Sequence, residues 1–165
     1  MEKLWSPWRS NYIDSFKEEK SGECIFCLAD KQDLSLDSCL KVLDLKYSYV
    51  ILNLYPYNSG HLMIVPRRHL SEFDQLTGNE LSEMMTAVKL SMKALNHVMK
   101  PQGFNIGANL GKAAGAGIDD HLHFHIVPRW NGDINFMPAL GEVKIISQDL
   151  LQTKKNLVEA FKNLI

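Results

Sequence analysis

At 165 residues, with 45% hydrophobic and 22% charged residues, the chain has the size and composition of one domain able to bury a real core. Its formal net charge of −1 excludes a global field that would gather nucleic acid or an acidic membrane, so any ligand phosphate must be held by local groups. No apolar run reaches the length of a membrane span and the charged, Trp-rich N-terminus has no signal-peptide core, so a cytoplasmic setting is expected, with neither nucleic acid nor membrane as partner.

Residues 1–22 carry Leu4-Trp5-Ser6-Pro7-Trp8-Arg9 and Tyr12 without any period, and read as an aromatic arm that packs onto its own or a partner subunit. Direct stacking of these rings on a ligand is the other reading. Cys24-Ile25-Phe26-Cys27 follows, then a polar stretch to Ser38. Two β-like runs cover 39–44 and 47–54, with Cys39 as a small core residue, and 55–60 is a turn by composition. His61 to Val65 reads as a third strand, ended by Pro66-Arg67-Arg68-His69.

Thr77-Gly78-Asn79-Glu80 has the form of a capping box. Beyond it Leu81, Met84, Met85, Val88, Met92, Leu95 and Met99 repeat at helical spacing, which predicts a core-facing stripe, and Pro101 stops the helix. His97 on that helix reads as surface or packing. Phe104 to Leu110 is a fourth strand, Gly111 to Gly117 a small-residue loop, and His121 to Val127 a fifth strand. From Asp149, after Ser147 as a cap, apolar residues at 150, 151, 157, 158, 161 and 164 predict a closing helix. Without repeats or a dividing linker, residues 1–165 read as a single domain. Strands in blocks around one long helix predict an α+β fold with a mainly antiparallel five-stranded sheet.

Three of the six histidines fall at His121, His123 and His125. A strand has a side-chain period of two, so these imidazoles would share one face while Leu122, Phe124 and Ile126 point into a core. A solvated strand face would show one such histidine, and three in strict alternation point to chemistry or to ligation of a metal ion. The small residues of 111–117 let backbone N–H groups approach phosphate oxygens, and Lys112 would add charge. Cys24 and Cys27 are open to two readings, unrelated buried thiols or a metal site. A redox pair would need a βαβ context that the segment lacks.

With these elements in order, the chain resembles the histidine-triad (HIT) family of nucleotidyl hydrolases and transferases, and within it the bacterial diadenosine-tetraphosphate phosphorylase branch. The resemblance rests on Trp5 with Arg9 and Tyr12, Asn53 to Asn58, Gly60-His61-Leu62-Met63, Asn109-Leu110-Gly111, His121 to Arg129, and Trp130 with Gly132-Asp133. It implies a HIT-like fold that dimerises into a larger sheet, which is physically sensible because exposed sheet edges need cover. It implies an enzyme in which His123 attacks the α-phosphorus of a nucleotide to give a nucleotidyl-histidine. A hydrogen bond from Nδ1–H to a backbone carbonyl would leave Nε2 free for that attack. His125 would contact the phosphate and ribose side, and Asn53 matches a ribose-binding position. His61, Asn109, Lys112, Gly115, Ala116, Gly117 and Trp130 complete the expected substrate-binding set.

The implied reaction is phosphorolysis of diadenosine tetraphosphate to ADP and ATP, with inorganic phosphate as second substrate. Hydrolysis of dinucleoside polyphosphates, cleavage of nucleoside phosphoramidates, and a non-catalytic nucleotide-binding module are the alternatives. Many family members carry Gly-Gln-Ser/Thr ahead of the triad, where this chain has Gly115-Ala116-Gly117-Ile118-Asp119-Asp120. The missing glutamine favours the phosphorylase branch, while Gly117 supplies no side chain for phosphate. Relatives also imply a structural zinc at Cys24, Cys27, His69 and His121, a closed shell of two thiolates and two imidazoles. No organic cofactor is implied.

Overall fold

The computed structural model describes residues 23–133 and 149–165. Helices α1 (Ile25–Asp30), α2 (Gly78–Met99) and α3 (Leu150–Lys162) accompany strands β1 (Lys41–Asp44), β2 (Ser48–Leu52), β3 (Leu62–Pro66), β4 (Gly103–Gly107) and β5 (Phe124–Arg129). The strands form one sheet in the order β1-β2-β3-β5-β4, antiparallel at every pairing. The protein is therefore α+β, as its pattern of elements predicts. The aromatic arm of 1–22 lies outside the described residues.

Both faces of the sheet are covered. Val50, Leu52, Leu62, Ile64 and Ile126 pack with Met84, Val88 and Leu95 of α2 and with Leu157 and Phe161 of α3. Tyr49, Ile51, Met63 and Val65 pack on the opposite side around Phe26 of α1. Double coverage explains why β2 and β3 are buried at every position and read as continuous apolar runs.

Helix α2 starts where the capping box places it. The Glu80 amide donates to Thr77 Oγ1 at 3.3 Å, and the Thr77 amide to Glu80 Oε2 at 2.8 Å. Arg68 adds two bonds to the same carboxylate, Nε to Oε1 at 2.6 Å and a terminal nitrogen to Oε2 at 2.7 Å. That clamp joins the turn after β3 to the start of α2. At the other end Lys100 takes a left-handed conformation with φ of 50°, just before Pro101.

Several boundaries and packing expectations are corrected. Met85 is 39% exposed, and Ala87, Ser91 and Ala94 fill the core face of α2. Leu151 of the closing helix and Leu164, just past its end, face solvent. Asp149 caps that helix through Oδ1 to the Gln152 amide at 2.8 Å, whereas Ser147 lies outside the described residues. Helix α1 is absent from the sequence reading, because six residues are too few for a helical period to register.

Candidate functional site

The largest correction to the sequence reading is also what builds the site. Strand β5 begins at Phe124, so His121 and His123 precede the ladder. Their backbone groups are used elsewhere. The Leu122 amide donates to the Leu70 carbonyl at 2.7 Å, and the His121 carbonyl accepts from His123 Nδ1 at 2.9 Å. His123 is 6% exposed, and its burial pushes the imidazole below the ordinary histidine range. A neutral ring with its proton on Nδ1 carries the lone pair on Nε2.

His125 lies within β5, opposite Met63 of β3 and Gly107 of β4. Its ring centroid is 4.8 Å from that of His123, edge-on at 79°. His61, at the entry to β3, is completely enclosed and places Nε2 at 2.9 Å from His125 Nδ1. On its other side His61 Nδ1 meets the Tyr57 amide at 3.1 Å and Asn53 Nδ2 at 3.3 Å. The Tyr57 ring stacks on His61 with centroids 4.8 Å apart and planes at 26°. Asn53, His61, His123 and His125 therefore form one cluster, in which His61 meets other histidine-cluster groups through both ring nitrogens.

Beside this cluster, on the α1 face of the sheet, is a cavity of about 400 Å³. Ile25, Phe26, Ala29, Ile51, Met63 and Ile118 give it apolar walls, and Asn53 lies on its lining. Phe26 forms a wall and also packs 4.9 Å from the His123 ring. An apolar cavity next to a cluster of imidazoles has the make-up of a seat for a planar, weakly polar ligand group. Sequence reasoning missed Ile25, Phe26, Tyr57 and Ile118 as site residues. The signals available were the apolar pair inside Cys24–Cys27 and the single large apolar side chain in the small, polar stretch 111–120.

The 111–117 loop is exposed apart from half-buried Ala116, with Gly111 and Gly115 at φ of +76° and +86°. Lys112 points its ammonium towards Asp119, 3.6 Å away. Asn109 and Trp130 are half-buried, and among the described residues neither side chain makes a hydrogen bond to the histidine cluster. The Trp130 amide instead joins the turn closed by Asp133, at 3.1 Å from its Oδ2.

A second cluster shares His121. Cys24 Sγ is 3.3 Å and Cys27 Sγ 3.7 Å from His121 Nδ1, and Cys27 Sγ is 3.4 Å from His69 Nδ1. All four candidate ligand atoms lie within 4.8 Å of one another. Bond lengths of about 2.3 Å to sulfur and 2.0 Å to nitrogen place tetrahedral ligand atoms roughly 3.3–3.8 Å apart, so the four groups need only a small contraction to hold zinc. His121 Nε2 donates to the Pro66 carbonyl at 2.9 Å, which turns the Nδ1 lone pair to the thiols. Burial pushes the Cys24 thiol up to about 11, a penalty that a bound cation reverses by stabilising thiolate.

The fold agrees with what other proteins show. The chain belongs to the HIT domain family, which it matches over residues 37–132. An AP-4-A phosphorylase of Mycobacterium tuberculosis is 40% identical over 161 residues, 95% of this chain and 83% of that protein. Adenosine 5'-monophosphoramidase hnt1 of Schizosaccharomyces pombe is 31% identical over 108 residues, covering 66% of this chain and 75% of that protein. Among solved structures, a Zn-bound histidine triad family protein from Mycobacterium smegmatis shares the fold, with a TM-score of 0.66 at 23% identity over 86% of this chain and 95% of that one.

Proposed function

We propose that this HIT-family enzyme carries out nucleotidyl transfer on dinucleoside polyphosphates, with His123 as the nucleophile and inorganic phosphate as the acceptor. The observation that carries the reading is the bond from His123 Nδ1 to the His121 carbonyl, which leaves Nε2 with the lone pair. That nitrogen attacks the α-phosphorus, a P–N bond forms, and the P–O bond to the departing polyphosphate breaks with its electron pair on oxygen. Phosphate oxygen then attacks the same phosphorus and displaces His123. With diadenosine tetraphosphate the first step releases ATP and the second ADP.

The cavity beside Phe26, with its apolar walls, suits the base of the nucleoside. Amides of the 111–117 loop and the charge of Lys112 would complement the equatorial oxygens of the transition state. The 40% identity to an AP-4-A phosphorylase, spanning nearly the whole chain, supports phosphate as acceptor. A phosphoramidate substrate with water as acceptor is the second reading, supported by the 31% identity to a phosphoramidase. Incubation with diadenosine tetraphosphate and with adenosine 5'-phosphoramidate, each with and without phosphate, separates them. Phosphate-dependent ADP plus ATP supports phosphorolysis, and phosphate-independent AMP plus ATP overturns it.

Zinc at Cys24, Cys27, His69 and His121 belongs to the same reading, as a structural ion that ties α1 to the segment carrying His123. So does a homodimer: β4 is an edge strand whose Asn105, Ile106 and Gly107 are exposed, and a second copy would cover it. No described helix is long and apolar enough to cross a membrane, and a cytoplasmic setting completes the reading.

A further inference from the structure

The hydrogen-bond donors around His61 determine where protons sit two rings away. The Tyr55 amide donates to the Asn53 side chain at 2.9 Å, so the atom facing it is Oδ1 and the opposite atom is Nδ2. Nδ2 has no lone pair to offer, so at 3.3 Å from His61 Nδ1 it donates. The Tyr57 amide, 3.1 Å from the same nitrogen, can also only donate. His61 therefore accepts at Nδ1 and carries its proton on Nε2. Across the 2.9 Å contact that proton is donated to His125 Nδ1, which leaves the proton of a neutral His125 on Nε2. His123 has the opposite arrangement, Nδ1–H to a carbonyl and a lone pair on Nε2. Two rings 4.8 Å apart thus present complementary atoms, one to attack phosphorus and one to donate to an oxygen on it.

From this chain of contacts we infer that Asn53 is a positioning residue, which sets the proton on His125 through His61. It does so beyond any contact with a ribose, and its effect on turnover rests on the reading of His123 as nucleophile. Asn53 is 7% exposed and its carboxamide joins two groups of opposite demand, an amide donor at Tyr55 and an imidazole acceptor at His61. An aspartate of the same shape reverses the second contact. Its carboxylate accepts, favours a proton on His61 Nδ1, opposes the Tyr57 amide, and turns a lone pair towards His125. His125 then holds its proton on Nδ1 and loses the Nε2 donor. Aspartate keeps acceptor oxygens for ribose hydroxyls, so the substitution separates positioning from ribose binding.

Two measurements test the inference. Long-range proton–nitrogen spectra of histidine-labelled protein, recorded without substrate, should show His61 and His125 protonated at Nε2 and His123 at Nδ1. In Asn53→Asp the first two should move to an Nδ1-protonated or doubly protonated pattern while His123 is unchanged. With diadenosine tetraphosphate, Asn53→Asp should lower kcat at least tenfold and leave KM within twofold. Wild-type His61 protonated at Nδ1 overturns the inference, and does so even if the variant fails to fold. Unchanged tautomers in the variant, or full kcat with raised KM, also overturn it. A wild-type protein inert to every dinucleoside polyphosphate and phosphoramidate would defeat the proposed function alone, because the spectra decide the proton positions independently.

Discussion

The Tyr49 hydroxyl, buried in the sheet, donates to the Phe26 carbonyl at 2.8 Å and so anchors α1 over the site. Burial pushes this phenol well above the ordinary tyrosine range, so it remains a donor throughout the working pH. Phe26 in turn forms a cavity wall and packs against His123. Tyr49→Phe removes one buried hydrogen bond and should cost about 1 kcal/mol of stability in urea unfolding. The same variant should raise KM more than it lowers kcat, because the cavity wall shifts while the His123 tautomer is untouched.

Gly60 precedes His61 at φ of +75°, and a Cβ built there would lie 2.4 Å from Met99 Sδ and 3.1 Å from Leu95 Cδ2. Gly60→Ala combines a disfavoured backbone conformation with displacement of the Met99 thioether from its packing. A loss of about 1–3 kcal/mol is expected in thermal or urea unfolding. Activity should fall with it, since the next residue holds His125.

Glu80 has its carboxyl held down to about 2, first by the Arg68 guanidinium and then by the Thr77 bonds. A depressed carboxylate contributes stability above its unfolded value near 4.5 and loses that contribution as pH falls towards 2. Asp133, held down to about 2 chiefly by Arg129, acts in the same window. Urea midpoints measured from pH 7 to pH 2 should fall along this acid limb. Glu80→Gln should flatten it, and an unchanged slope would count against the clamp. Thr77→Ala should separately cost about 1 kcal/mol through the lost cap.

Protein purified without chelator should carry about one zinc per chain by elemental analysis, as expected for a closed four-ligand site. Cys24→Ser should lose most of it and melt at lower temperature. Full metal retention in that variant would remove Cys24 from the site.

The elements that the sequence made legible are those with a period or a punctuating residue. Thr77 and Glu80 announce the start of α2, Pro101 its end, and the β-like runs at 47–54 and 61–65 announce the central strands β2 and β3. The histidine cluster was legible as composition, but its geometry was not. Alternation at 121–125 suggested one strand face, whereas the His121 carbonyl is claimed by a side chain and the ladder begins only at Phe124. Helix α1 and the cavity it walls were hidden because six residues show no period and a cavity is a tertiary property. The Asn53–His61–His125 order was hidden for a different reason. Sequence names the residues, but which nitrogen holds a proton depends on three amides brought together by the turn at 53–61.

His121 engages neighbours through three separate atoms: Nδ1 faces the thiols, Nε2 bonds the Pro66 carbonyl, and its own carbonyl orients His123. Replacement at this position takes the ring from a candidate ion site and a strand end, next to the backbone carbonyl that holds His123, so an inactive His121 variant would be mute about cause. Those duties have to be dissected from outside the residue, with the thiols probed at Cys24 and the proposed nucleophile at His123.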